Sequence, residues 1–236
     1  MTPEATTPVV LQICRTCGGG APVDVHFCPQ CTKILTLGRQ GDYFAFLGLP
    51  RKLRIDGTVL EQNFRTLSRQ FHPDYFYNAA PAERLASLER TSYLNDAYRT
   101  VKQPISRIAY LLELEGMGTV AEREAAARGG APQVPPDLLE EVFALNEELD
   151  EIRGLRAAGA PEADWKARIE RARKPIDAKR EEHERQLEQL SERWDTAVDQ
   201  NAGAKDRQKI LESLRERMLE RNYINNLLAG IERELT

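Results

Sequence analysis

Pro73 stands between two stretches of helical periodicity, and a chain built this way is constrained to fold there as a hairpin of helices. Before it, Leu60, Phe64, Leu67 and Phe71 follow a 4-3-4 spacing, Asp56 is placed to cap the helix, and Arg65 and Arg69 lie off the stripe. That helix is predicted to have one buried face and one basic face. Proline disfavours helical geometry in the residue before it, so the chain must turn at His72 and present His72 and Asp74 at a helix end. After the turn, Leu85, Leu88, Leu94, Ala97, Tyr98 and Val101 predict a second helix that runs back and ends at Pro104.

The four cysteines are confined to one short segment, as Cys14-Arg15-Thr16-Cys17 and Cys28-Pro29-Gln30-Cys31. Two C-x2-C pairs can place four thiolates tetrahedrally around one metal, and Gly18, Gly19 and Gly20 let the backbone turn beside the first pair. Zinc is the expected metal. A rubredoxin-like iron site, a redox dithiol and two short disulfides are the alternatives, the last disfavoured for cytosolic cysteines. Four cysteines close such a site, so His26 is expected on the surface rather than as a ligand, and no position is left open for a catalytic water. With so little apolar material the module is expected to take most of its folding free energy from the metal, independently of the hairpin.

From Gly116 to Pro136 the glycines and prolines predict a linker, and a second helical block follows it. In this block Leu138, Val142, Leu145, Leu149 and Ile152 fall within about 40° of one line at 100° per residue, which marks a core stripe. Leu139 and Phe143 project about 100–140° away from it and are expected to be exposed. Further on, Trp165, Ile169, Ala172, Ile176, Leu187, Leu190 and Trp194 continue near 4-3 spacing, with His183 close to the stripe as a partly buried bundle residue. Pro175 should kink or interrupt that helix. The expected architecture is mainly α: a tetracysteine metal-binding module over 1–40, the helical hairpin unit over 41–116, a linker over 117–136 and an antiparallel three-helix bundle over 137–236.

With 33 basic against 37 acidic residues, a net charge of -4 disfavours wholesale nucleic-acid binding and points to protein partners. No apolar run is long enough to span a bilayer, and no basic residue precedes Arg15 to form a secretory or transit signal, so the expected compartment is the cytoplasm. The histidines, His26, His72 and His183, lie in three different segments, which leaves a hydrolase or redox enzyme without a catalytic constellation.

The basic amphipathic helix, the His72-Pro73-Asp74 tripeptide and the returning helix resemble a J domain, the module by which co-chaperones stimulate DnaK-class ATPases. A closer resemblance is to the HscB family. It rests on Asp42-Tyr43-Phe44 with Leu47-Gly48-Leu49, on Phe71-His72-Pro73-Asp74, on Asn95-Asp96-Ala97-Tyr98, and on Tyr110-Leu111-Leu112 with Gly116. It continues in Asn146-Glu147-Glu148-Leu149-Asp150-Glu151-Ile152, and Phe27-Cys28-Pro29-Gln30-Cys31 is similar to the N-terminal extension of longer members. Tyr75 stands where many J domains have Lys, and Glu140 and Ala144 differ from the residues common at their places.

The resemblance implies a non-enzymatic co-chaperone. His72, Pro73 and Asp74, with Arg65 and Arg69, would dock on a DnaK/HscA-class ATPase chaperone and stimulate it. Leu139, Phe143, Glu147 and Glu151 on the first bundle helix, with Tyr223 on the last, would hold an iron–sulfur cluster scaffold protein. The alternative is a zinc-binding helical adaptor in which the tripeptide is incidental.

Overall fold

A computed structural model describes residues 11–22, 25–37, 42–117 and 138–235. The predicted linker 117–136 lies outside these apart from Met117. The chain divides into two compact units, Met1–Tyr110 and Leu111–Thr236. In order, the elements are strands β1 (Leu11–Ile13) and β2 (Gly20–Pro22), helices α1 (Tyr43–Phe46) and α2 (Gly57–Phe71), a 3-10 turn (Pro73–Phe76), and helices α3 (Pro81–Lys102) and α4 (Pro104–Leu114). Three long helices follow, α5 (Leu139–Ala157), α6 (Glu162–Asp199) and α7 (Ala204–Leu235).

In the first unit, β1 and β2 pair antiparallel with Gln12 opposite Ala21, and a small core of Cys14, Ala21, Cys28 and Leu35 lies beneath them. Asp42 caps α1, accepting from the Ala45 amide at 2.6 Å while its other oxygen pairs with Arg51. Gly48 has φ +66°, a left-handed turn disfavoured for a residue with a Cβ, and the Asn63 side chain closes that turn by donating to the Leu47 carbonyl at 2.9 Å. These contacts explain the Leu47-Gly48-Leu49 signature. Tyr110 explains another, since its ring stacks on Tyr43 at 4.4 Å and its hydroxyl accepts from the Tyr43 amide.

The hairpin forms as α2 packed on α3, with Asp56 capping α2 through the Thr58 amide. Leu60 and Phe71 of the predicted stripe are buried and Phe64 stacks on Tyr98 at 4.1 Å. The returning helix differs from expectation. Leu85 and Leu88 are exposed, and the buried line runs through Ala86, Arg90, Leu94, Ala97 and Val101. Polar side chains enter that line because they meet carbonyls from other elements: Ser87 donates to Phe71 O, and Arg90 to Leu35 O. At the far end Arg107 donates to Val101 O and Lys102 O, satisfying carbonyls that the end of α3 leaves without a helical partner.

The second unit is a three-helix bundle with short turns between α5, α6 and α7, so neighbours run antiparallel. Leu138, Val142, Leu145, Leu149 and Ile152 are all buried and join Trp165, Ile169, Ile176, Ile224, Leu228 and Ile231 in one core. The stripe read on the helical wheel is therefore the packed face. Pro175 does not interrupt α6, which continues through it. Its position is exposed, so water can serve the carbonyl that its missing amide abandons. His183 is buried more fully than expected, with Nε2 2.6 Å from the Arg217 carbonyl.

Candidate functional site

The turn after α2 is built from the proline outward. His72 has φ −56° and ψ 125°, the extended geometry a residue before proline must take, and there α2 ends. His72 Nδ1 accepts from the Asp74 amide at 3.3 Å and lies 3.5 Å from Asp74 Oδ2. The Asp74 side chain is 86% exposed and that of His72 51% exposed, so an imidazole and a carboxylate are offered together to solvent. The Tyr75 ring stands beside the imidazole at 5.9 Å. Behind the turn, Phe71 is fully buried and its carbonyl accepts from Ser87 Oγ at 2.6 Å and Thr91 Oγ1 at 3.0 Å.

Arg65 and Arg69 are both exposed on α2 and border a groove of about 760 Å³ that also includes Tyr98, Lys102 and Arg107. Arg65 is tied to Glu61 at 3.0 Å, and the Tyr98 hydroxyl donates to the same carboxylate. The Tyr98 bond, followed by Arg65, lowers the Glu61 pKa. Arg65 is thus held in order by Glu61, and Tyr98 of the Asn95-Asp96-Ala97-Tyr98 signature supports that carboxylate from α3.

The cysteine site has an internal two-fold pattern. Gly18 N donates to Cys14 O and Thr32 N to Cys28 O, each at 2.9 Å; Cys14 N donates to Gly19 O and Cys28 N to Lys33 O, each at 2.8 Å. The residues after the second cysteines, Gly18 and Thr32, have φ +75° and +60°. A β-branched threonine in this region is strained, and such strain persists only where the surroundings impose it. The four sulfurs lie within 4.8 Å of one another, with Cys14 to Cys31 and Cys17 to Cys28 each at 3.7 Å. A tetrahedron with metal–sulfur bonds of about 2.3 Å has edges of about 3.8 Å, so the donors fit one ion. The amides of Cys17 and Thr16 pull the Cys14 thiol down to about 6. Cys31 is pushed up to about 12, the Lys33 amide favouring its thiolate but burial and the neighbouring sulfurs outweighing it. A dication would relieve that opposition.

His26 is not a surface residue apart. Its ring meets Phe46 at 4.9 Å and Phe71 at 5.0 Å edge to face, and its Nδ1 lies 2.8 Å from Arg90 Nη1. Arg90 also donates to Leu35 O at 2.6 Å and Thr36 O at 3.3 Å, and Lys33 pairs with Glu83 at 3.2 Å. The module therefore shares polar contacts with α3. Sequence reasoning missed Arg90, because the buried line through Ala86, Arg90 and Leu94 differs from the leucine stripe that the sequence offers.

On the bundle, Phe143 is 69% exposed and Leu139 39%, with Glu147 and Glu151 exposed beyond them at successive steps of four. Glu151 pairs with Arg168 of α6, which also binds Glu148 at 2.5 Å. Tyr223 is half-buried and packs against the core cluster rather than standing open.

No protein-family model matches the chain. Among solved structures, the human co-chaperone protein HscB is similar at 25% identity with a TM-score of 0.62, over 94% of this chain and 97% of that one. Chaperone HscB from Vibrio cholerae is similar at 26% identity with a TM-score of 0.52, over 82% of this chain and 96% of that one. With the tripeptide turn, the helical hairpin and the three-helix bundle in the same order on one chain, these matches support the HscB family as the one this chain resembles.

Proposed function

We propose that this protein is a cytoplasmic co-chaperone that brings an iron–sulfur cluster scaffold protein to a DnaK/HscA-class chaperone and stimulates that chaperone's ATPase. The observation that carries the reading is the turn: His72 and Asp74 are solvent-facing side chains held beside one another at the end of a basic helix. Such a pair has no packing role of its own, and with Pro73 it forms a small polar knob that can enter a partner's surface. Arg65 and Arg69 orient the approach to an acidic face. Exposed charges of this kind act chiefly on association rate and weaken as salt rises. The chemistry takes place on the chaperone, where ATP is hydrolysed.

The client reading rests on Leu139 and Phe143, apolar side chains on the outer side of a helix whose inner side already fills the core. Glu147 and Glu151 extend that surface with negative charge, and Tyr223 supports it from α7 as part of the packed wall. Zinc is the metal proposed for Cys14, Cys17, Cys28 and Cys31, with iron as the other ion that suits four thiolates. The ion would hold the two knuckles together. Among the described residues, no helix is long and apolar enough to cross a membrane.

The test is steady-state ATP hydrolysis by a purified DnaK-class chaperone with and without this protein. His72→Gln should abolish stimulation while leaving circular dichroism and scaffold binding unchanged, because the imidazole makes only the local contacts of the turn. Stimulation at the wild-type level by that variant refutes the reading.

A further inference from the structure

We propose that His26 and Arg90 are positioning residues through which metal loading of the four-cysteine site fixes the His72-Pro73-Asp74 turn. The second knuckle is closed at its base by the bond from Leu35 N to His26 O at 3.0 Å, and at its tip by Cys28 and Cys31. Arg90 spans both sides of that base, since it donates to Leu35 O on one side and faces His26 Nδ1 on the other. Arg90 is 2% exposed, and these partners belong to the knuckle rather than to the helical hairpin. If the knuckle opened, Arg90 would lose its bonds to Leu35 O and Thr36 O and its contact with His26, which charge-assisted bonding makes costly.

The same groups form the wall around Phe71. The His26 ring lies 5.0 Å from the Phe71 ring, the Arg90 guanidinium 5.6 Å from it and the Phe27 ring 6.2 Å. From α3, Ser87 and Thr91 hold the Phe71 carbonyl, and Ser87 and Thr91 flank Arg90 on that helix. Phe71 is joined directly to His72. Anything that moves the knuckle away from Phe71 frees the residue that sets the direction of the turn, and an ion that closes the knuckle does the reverse. Coupling of this kind is reciprocal: what the ion does for Phe71, the packing of Phe71 and Arg90 does for the ion.

The inference rests on the chaperone-facing role of the turn, but its test does not need the chaperone. Zn²⁺ affinity of the full chain is measured by competition with a chromophoric chelator for the wild type, Arg90→Met and Arg90→Lys. In parallel, the Phe71 ring and His72 imidazole resonances are followed by NMR as Zn²⁺ is removed and restored. Arg90 ligates no metal, yet Arg90→Met should weaken Zn²⁺ about five- to hundredfold, the usual span of coupled sites. Arg90→Lys, which keeps the charge but loses the fork that spans Leu35 and His26, should fall between, and this variant carries the measurement if Arg90→Met does not fold. Zn²⁺ removal from the wild type should shift the Phe71 and His72 resonances, and Zn²⁺-loaded Arg90→Lys should show shifts in the same direction. Unchanged Zn²⁺ affinity in the variants, or Phe71 and His72 resonances indifferent to Zn²⁺, overturns the coupling. Should the coupling hold while His72→Gln still stimulates the chaperone, the functional reading fails and the positioning role stands.

Discussion

Replacing Leu139 and Phe143 together by alanine separates a client surface from a core surface. Phe143 is 69% exposed, so about a third of its area is buried; full burial of such a side chain contributes about 1.5–3 kcal/mol, and the truncation should cost the fold about 0.5–1 kcal/mol. Leu139 is 39% exposed and, by the same proportion, should cost about 1–2 kcal/mol. The sum stays below the ~5–15 kcal/mol that holds a domain folded, so the double variant should remain a folded bundle with a lowered midpoint. Ile152→Ala, on the buried side of the same helix, should cost about 2–5 kcal/mol because it leaves a cavity. Binding should show the opposite order. A small apolar cluster at the centre of an interface commonly dominates affinity, so the double variant should bind the iron–sulfur scaffold at least about tenfold more weakly, a loss of about 1.4 kcal/mol, whereas folded Ile152→Ala should bind nearly as the wild type. Calorimetric titration gives the affinity and urea unfolding the stability. Basal stimulation of the chaperone ATPase should stay near wild type in the double variant, while the extra stimulation on adding scaffold should fall. Normal scaffold affinity in the folded double variant would place the client surface elsewhere.

Two further outcomes follow from the titrating and metal-binding groups. Elemental analysis of protein purified under reducing conditions should give one metal per chain, and Cys17→Ser with Cys31→Ser should abolish it, since one ligand would be lost from each knuckle; retained metal in the double variant refutes the assignment. Burial lowers the pKa of His183 below its ordinary value near 6.5, so the unfolded chain binds a proton there that the folded chain resists. The stabilising contribution is complete above about pH 6.5 and is lost as pH falls below it, with a slope of at most about 1.4 kcal/mol per pH unit. His183→Gln should flatten stability against pH below about 6.5 in urea titrations, and an unchanged slope would show that another group carries it.

The bundle was legible in the sequence wherever burial follows from side-chain type and helical period alone. Leu138, Val142, Leu145, Leu149 and Ile152 face the core, and Phe143 does not, because nothing polar competes for those positions. The cysteine site was legible for a different reason, since its ligands recur at fixed local spacing. On α3 the same method went astray. Leu85 and Leu88 face outward, while Glu83, Ser87 and Arg90 are buried, because the groups that satisfy them come from distant positions: Arg90 meets Leu35 O across 55 residues and Ser87 meets Phe71 O across 16. No local pattern announces such pairings. Arg107, whose guanidinium donates to Leu53 O as well as to the end of α3, has a distant partner of the same kind.

Those buried polar residues also offer a test between the co-chaperone and a helical adaptor with an incidental tripeptide. A turn that merely connects two helices needs only its proline and exposed polar side chains; its backbone carbonyls can be left to water. Here the carbonyl immediately before the turn is withdrawn from water and bound by two hydroxyls, Ser87 Oγ and Thr91 Oγ1, on the returning helix. The Phe71 ring beneath it is packed by Phe46 at 5.8 Å and by His26 at 5.0 Å. Ordering these groups costs conformational entropy and places polar atoms in the core, where each must be matched. What they support is a fixed direction for His72 and Asp74, which themselves contribute little packing. Rigid support beneath an exposed polar pair is what recognition by a partner requires, because a partner that binds a preset geometry does not lose affinity to ordering it. In the adaptor reading replacing Ser87 and Thr91 would affect stability alone, whereas in the co-chaperone reading the folded double variant should also stimulate the chaperone less.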